Sequence, residues 1–280
     1  DRLLRAVSRP ARLLELADRY TVFDGGERKV ARYQQLRCVE NAMARLRQRD
    51  AEGKRMGGIV WHTQGSGKSL TMVMLAEAIL RDPSIHDPKI VLVTDRVDLD
   101  DQIYGTFKNS GAELEQATTG QRLIDLLGDP RVRIVTTLIH KFQAAIEGRG
   151  TKVERDSVFV LVDESHRTNF GSLHAAMNRV LPKACLIGFT GTPVRKKDRD
   201  VLQKFGGFID TYTIDEAVAD KAVVPLLYEG RHVLQTVDDK ILDAWFDRVV
   251  QGLSVEQAKE LKQRFATRNQ LNRTEQKVMA

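Results

Sequence analysis

The chain has 280 residues, of which 42% are apolar and 29% charged, enough apolar material for a sizeable core in one large or two small domains. Lys and Arg number 44 against 38 Asp and Glu, a +6 excess that permits contact with nucleic-acid phosphates without demonstrating it. No apolar run approaches the ~20 residues of a membrane span, and Cys38 and Cys185 sit among apolar neighbours, which argues against a disulfide or metal role and fits a reducing cytoplasm.

Ser8-Arg9-Pro10 followed by Leu13, Leu14, Leu16 and Ala17 predicts a helix with proline in its first turn. Tyr20 to Phe23 then runs into the turn Asp24-Gly25-Gly26. From Tyr33 to about Asp50, Leu36, Val39, Met43 and Leu46 recur at three- and four-residue steps, the apolar face of a helix whose other face is arginine-rich. Short apolar runs then alternate with helical patterns. Strands are predicted over 58–61, 90–94, 132–136, 158–162 and 185–189, with weaker ones near 208–213 and 223–228. Helices are predicted over 68–80, 99–107, 120–127 and 138–146. Continuous Val, Ile and Leu runs mean strands buried on both faces, and their alternation with helices predicts an α/β fold with a mostly parallel central sheet and helices on both faces. Residues 239–251 and 254–279 read as two charged helices, a C-terminal helical extension.

The run from Gly58 to Trp61 leads into His62-Thr63-Gln64-Gly65-Ser66-Gly67-Lys68-Ser69 and a helix. Strand, glycine-rich turn and helix together form a phosphate-binding loop. Its glycines let backbone N–H groups face a polyphosphate, Lys68 brings a charge to the outer phosphates, and Ser69 offers a hydroxyl to Mg²⁺. The usual pattern starts on glycine, where this chain has His62. The strand 158–162 delivers Asp163 and Glu164 at its C-terminal end, where ligands bind in doubly wound sheets. One carboxylate, Asp163, is expected to hold Mg²⁺, and Glu164 to orient and deprotonate the attacking water.

Gly65-Ser66-Gly67-Lys68-Ser69 with Asp163-Glu164-Ser165-His166 resembles a superfamily 2 helicase or translocase. Together with Trp61-His62-Thr63-Gln64, Thr94-Asp95-Arg96-Val97-Asp98-Leu99 and Gln102, Thr136-Thr137 with Lys141-Phe142, Gly188-Phe189-Thr190-Gly191-Thr192-Pro193, and Tyr212-Thr213-Ile214-Asp215-Glu216-Ala217 through Val224-Pro225-Leu226, the order is similar to the restriction (R) subunit of type I restriction-modification enzymes. His62 is the usual residue of that family. The resemblance implies the first RecA-like P-loop NTPase domain of an ATP-driven motor. ATP and Mg²⁺ are its cofactors, and double-stranded DNA and the methylation and specificity subunits its partners. Thr63, Gln64, Gly65, Ser66, Gly67, Lys68 and Ser69 would cradle the nucleotide, and Gln35, favoured over Gln34, would read adenine. His166 would link the site to its neighbours. Thr94, Asp95, Arg96, Thr136 and Thr137 would touch the DNA backbone, and Thr190, Gly191 and Thr192 would couple the two sites. Arg195-Lys196-Lys197-Asp198-Arg199 is a further, weaker DNA candidate.

The expected organisation is a lead-in segment over 1–30, motor domain 1 over 31–230 and a helical connector over 231–280. The first methionine is Met43, so the chain reads as a piece of a longer protein, with a nuclease domain before it and a second motor domain after it. The triplets Asp87-Pro88-Lys89, Asp238-Asp239-Lys240 and Glu260-Leu261-Lys262 match a nuclease pattern but lack the strand pair such a site needs. A repair helicase, a remodeller-like ATPase, or a nucleotide-dependent DNA-binding scaffold without catalysis carries the same motifs and stays open as an alternative.

Overall fold

The structure, a computed structural model, describes residues 9–24, 26–148, 152–163, 170–192 and 205–225, with isolated positions at 248, 251, 254, 256 and 257. Glu164, His166, Pro193, the basic run 195–199 and almost all of the two C-terminal helices therefore lie outside the described residues. The chain divides into two units, Asp1–Val224 and Pro225–Ala280.

In the first unit, helix α1 (Pro10–Arg19) leads into an antiparallel hairpin of β1 (Thr21–Asp24) and β2 (Glu27–Val30). Helix α2 (Tyr33–Leu46) follows, and then the sheet begins. Its strands are β3 (Gly58–His62), β4 (Lys89–Thr94), β5 (Glu115–Ala117), β6 (Ile134–Leu138), β7 (Val158–Val162), β8 (Cys185–Thr190) and β9 (Phe208–Tyr212). They are ordered β5-β6-β4-β7-β8-β3-β9, and every neighbouring pair is parallel. Helices α3 (Lys68–Leu80), α4 (Val97–Asn109), α5 (Gly120–Gly128), α6 (His140–Gly148) and α7 (Phe170–Val180) make the crossovers, and α8 (Ile214–Ala219) closes the unit.

The strands are buried on both faces, as their unbroken apolar runs require. Ile90, Leu92, Phe159 and Leu161 pack on one side with Met72, Leu75 and Ile79 of α3, Val39 and Leu46 of α2, and Phe107 of α4. Val91, Val93, Val158, Val160 and Val162 pack on the other with Leu123 and Leu127 of α5, Phe142 of α6 and Met177 of α7. Each side chain of this size, taken fully from water, stabilises by about 1.5–3 kcal/mol before chain entropy is counted. Helix α3 is apolar almost all round, with Thr71 through Ala76 buried, which suits the central helix of a two-layered wrap.

Three differences from the sequence reading have physical causes. Strand β6 spans Ile134–Leu138 rather than 132–136, because Thr136 and Thr137 pair with Leu92 and Val93 inside the ladder. Threonine is β-branched and suits a buried strand, so the two threonines extend the run instead of ending it. Strand β5 is too short and polar to show an apolar period, and as an edge strand it needs none. Residues 223–225 form no strand. Cys38 and Cys185 are buried and free, as expected, and no described helix is long and apolar enough to cross a membrane.

Candidate nucleotide-binding site

Parallel pairing places the C-terminal ends of all seven strands along one edge, and β3 stands there between β8 and β9. The turn after β3 is held by its glycines. Gly65 and Gly67 have φ of +81° and +89°, and a Cβ on Gly67 would lie 2.6 Å from Gln35 Nε2. Thr63 and Ser66 are buried, and the Ser66 hydroxyl donates to the Thr63 carbonyl at 2.6 Å. Gly67 caps α3, so the loop ends on that helix's exposed N–H groups. Lys68 Nζ lies 3.4 Å from the His62 carbonyl and 3.5 Å from that of Thr63, folded back over the turn, and Ser69 follows it half-buried.

Two predicted partners come to this turn. Gln35 Nε2 donates to the Gly67 carbonyl at 3.0 Å, while its Oε1 accepts from the Arg32 N–H at 2.9 Å. A carboxamide carries two donors and two lone pairs, so half its capacity is left for a base edge. Gln34 is also buried but does not share these bonds, which favours Gln35 as the adenine contact. From β8, the turn Thr190-Gly191-Thr192 lies against the loop: a Cβ on Gly191 would be 2.9 Å from Lys68 Nζ and 3.5 Å from the Gln64 nitrogen. The Thr190 hydroxyl accepts from the Thr192 N–H at 3.3 Å and fixes this turn. Asp163 follows β7 with its N–H on the Val93 carbonyl at 2.9 Å. One strand, β8, separates β7 from β3, so Asp163 stands about 10 Å along the edge, a gap that suits phosphates and an ion. The residues present therefore fit ATP with Mg²⁺. Asp163 and Ser69 are the ion's side-chain candidates among the described residues.

The expected DNA contacts divide. Asp95 and Arg96 lie beyond the end of β4, and Arg96 is exposed with its guanidinium on Asp98 at 2.9 Å. Thr94, Thr136 and Thr137 are 1%, 0% and 0% exposed. The Thr94 hydroxyl faces the Arg96 carbonyl at 3.3 Å and that of Thr137 the Ala117 carbonyl at 3.5 Å. Hydroxyls this deeply buried do not reach a phosphate, so the expectation for these three side chains is corrected: the longer β6 and the end of β4 enclose them.

One group of residues was not foreseen. His62 is fully buried, and its Nε2 meets Asp210 Oδ2 of β9 at 2.8 Å. Oδ1 of the same carboxylate accepts from Arg37 Nε at 3.1 Å and Asn41 Nδ2 at 2.9 Å, both on α2. Burial alone would raise the Asp210 carboxyl, but the His62 bond and the Arg37 charge outweigh it and hold the carboxyl below its usual range. Cys38 joins His62 and Asp210 within 4.8 Å. Since three donors already engage the carboxylate and burial pushes the Cys38 thiol well up, this cluster is a hydrogen-bonded brace rather than a cation site. Tyr212, at the end of β9, accepts the Thr63 N–H on its carbonyl at 2.9 Å, and its hydroxyl joins that of Tyr33 on Asp220. Val223 lies over Gly65, where an added Cβ would come within 3.2 Å. The available signals were a histidine closing an apolar strand and an aspartate in the middle of another strand.

A family model described as SWI2/SNF2 ATPase matches residues 34–259. Among curated proteins, the chain is 32% identical over 98% of its length to a putative type I restriction enzyme MjaIXP endonuclease subunit of Methanocaldococcus jannaschii. It is 33% identical over 94% to the type I restriction enzyme HindI endonuclease subunit of Haemophilus influenzae. It spans 27% of the length of each of these relatives. Among solved structures, the Sulfolobus solfataricus SWI2/SNF2 ATPase core in complex with dsDNA has a TM-score of 0.50 at 16% identity, covering 68% of this chain and 37% of that one. The ATP-dependent Type ISP restriction-modification enzyme LlaBIII bound to DNA has a TM-score of 0.50 at 20% identity, covering 69% of this chain and 16% of that one. These likenesses concern the fold alone, a RecA-like arrangement of a parallel sheet between helices. With the model's match running from the helix before the phosphate loop to beyond β9, the chain belongs to the SWI2/SNF2 ATPase family.

Proposed function

We propose that this chain is the ATP-binding motor domain 1 of the DNA-translocating, DNA-cleaving R subunit of a type I restriction enzyme, working in the cytoplasm with methylation and specificity subunits. The observation that carries the reading is the meeting of two sequence-distant elements on one loop, Gln35 on the Gly67 carbonyl and Gly191 beside Lys68, with Asp163 farther along the same sheet edge. Bound ATP with Mg²⁺ supplies the transferable phosphoryl group and its counter-charge.

The chain's own residues have distinct tasks. Gln35 orients the base, while the N–H groups of Gln64, Gly65, Gly67 and Lys68 face the phosphates. Lys68, which rests on the His62 and Thr63 carbonyls, would neutralise charge on the terminal phosphate, and Ser69 and Asp163 would hold the ion. Glu164 orients the attacking water and takes its proton, and His166 links it to neighbouring elements. The Thr190-Gly191-Thr192 turn, packed on Lys68, carries changes in the loop toward the DNA-facing strand ends. There Arg96, Asp95 and the strand-end N–H groups after β4 and β6 hold the duplex backbone without reading bases. The relatives' names and the family match support this assignment.

Titration calorimetry with Mg-ATP tests it. Lys68→Ala is expected to weaken binding about 10- to 100-fold, the worth of a lost charge-assisted contact, while Glu164→Gln leaves binding intact. Equal binding by wild type and Lys68→Ala would remove the site assignment.

A further inference from the structure

The phosphate loop is strapped at both ends by a single helix. At the far end, Gln35 of α2 holds the Gly67 carbonyl at 3.0 Å. At the near end, Arg37 and Asn41 of the same helix grip Asp210 at 3.1 and 2.9 Å, and Asp210 grips His62 at 2.8 Å. His62 is the residue from which the loop springs, at the position where the usual pattern has a glycine with no side chain to hold. Asp210 is 7% exposed and His62 wholly buried, so their bond lies in the interior, unscreened by water, and Arg37 reaches it from the surface. Arg37 also donates to the Thr211 carbonyl at 2.9 Å, which fixes the backbone of β9 beside Asp210. Any shift of α2 is thereby delivered to both ends of the turn.

We propose that Asp210 is a positioning residue that makes the grip on the phosphates depend on the base. A base that fits against Gln35 sets the position of α2. Through Arg37, Asn41, Asp210 and His62, that position sets the curvature of the phosphate loop. The inference rests on the proposed ATP site and adds to it a source of selectivity for adenosine over guanosine triphosphates. A guanine, which presents the opposite donor and acceptor pattern to Gln35, would leave α2 displaced and the loop poorly shaped.

The test compares Mg-ATP and Mg-GTP affinities by calorimetry on the full chain and on Arg37→Gln and Asp210→Asn, with thermal melting of each. The side chain of Arg37 is 43% exposed, so its loss leaves the core intact even where Asp210→Asn fails to fold. Wild type is expected to prefer ATP. Arg37→Gln should lower the ATP-to-GTP affinity ratio about tenfold, mostly by weakening ATP. Equal weakening of both nucleotides, or an unchanged ratio in Arg37→Gln, would show a merely structural brace and overturn the proposal while leaving the ATP site standing. A wild type that binds the two alike would instead overturn the adenine contact, and this inference with it.

Discussion

Asp100 shows how one buried carboxyl makes stability depend on pH. It is 3% exposed on α4, with Oδ2 accepting from Gln116 Nε2 at 2.6 Å and Oδ1 without a partner among the described residues. Burial raises its pKa above the ordinary carboxyl value, the Gln116 bond works the other way, and neighbouring Asp101 adds to the rise. A carboxyl whose pKa is higher folded than unfolded binds more protons when folded, so it lowers stability at neutral pH and the penalty fades as pH falls through the raised value. Asp100→Asn is therefore expected to add about 1 kcal/mol at pH 7 in urea unfolding, with variant and wild type converging as acid protonates Asp100. Asp82 is the opposite case. Its burial would raise it, but Ser84 and a two-nitrogen grip by Arg47 at 2.7 and 2.9 Å hold it low. What Asp82 contributes is present above the ordinary carboxyl value and lost as pH falls through the depressed one.

Lys89 shows one element depending on another. It opens β4, is 2% exposed, and its Nζ donates to the Leu126 and Asp129 carbonyls at 2.7 Å each, closing the C-terminal end of α5. Lys89→Met keeps the packing but strands the Leu126 carbonyl and leaves that of Asp129 only the Val132 N–H, and is expected to cost about 1–3 kcal/mol in urea unfolding and to speed amide exchange in the last turn of α5. In the sequence this lysine completed a nuclease-like triplet, and only the fold discloses its structural task. Legibility followed the physics of each element. Helix α3 and strand β7 were readable to the residue, because glycine breaks one and unmixed Val, Phe and Leu mark the other. The loop's contacts with Gln35 and Gly191 were readable as motifs. The threonines of β6 were misplaced because a hydroxyl carries no apolar period, and the His62–Asp210 brace was hidden because its halves lie far apart in sequence.

For the molecule as a whole, the length of the relatives bears on activity, since the chain spans 27% of them. The proposed function calls for an arginine from another domain to complete the site, and such a finger is worth about 10³- to 10⁵-fold in rate. The 280-residue chain is therefore expected to bind ATP yet turn it over at least about a thousandfold more slowly than when joined to a second motor domain. A steady-state ATPase assay with and without duplex DNA checks this, and brisk DNA-stimulated turnover by the chain alone would contradict it. The sheet order has a consequence for synthesis as well. Strand β3 pairs with nothing near it in sequence: Gly58 lies beside Ile187 and His62 beside Tyr212. While the ribosome is still making the intervening crossovers, the nascent Gly65-Ser66-Gly67 turn has no wall on either side. Nucleotide capture thus waits until β8 and β9 have been made, and a messenger truncated before Tyr212 yields a polypeptide with an intact phosphate-loop sequence but without the whole of the strand that flanks it.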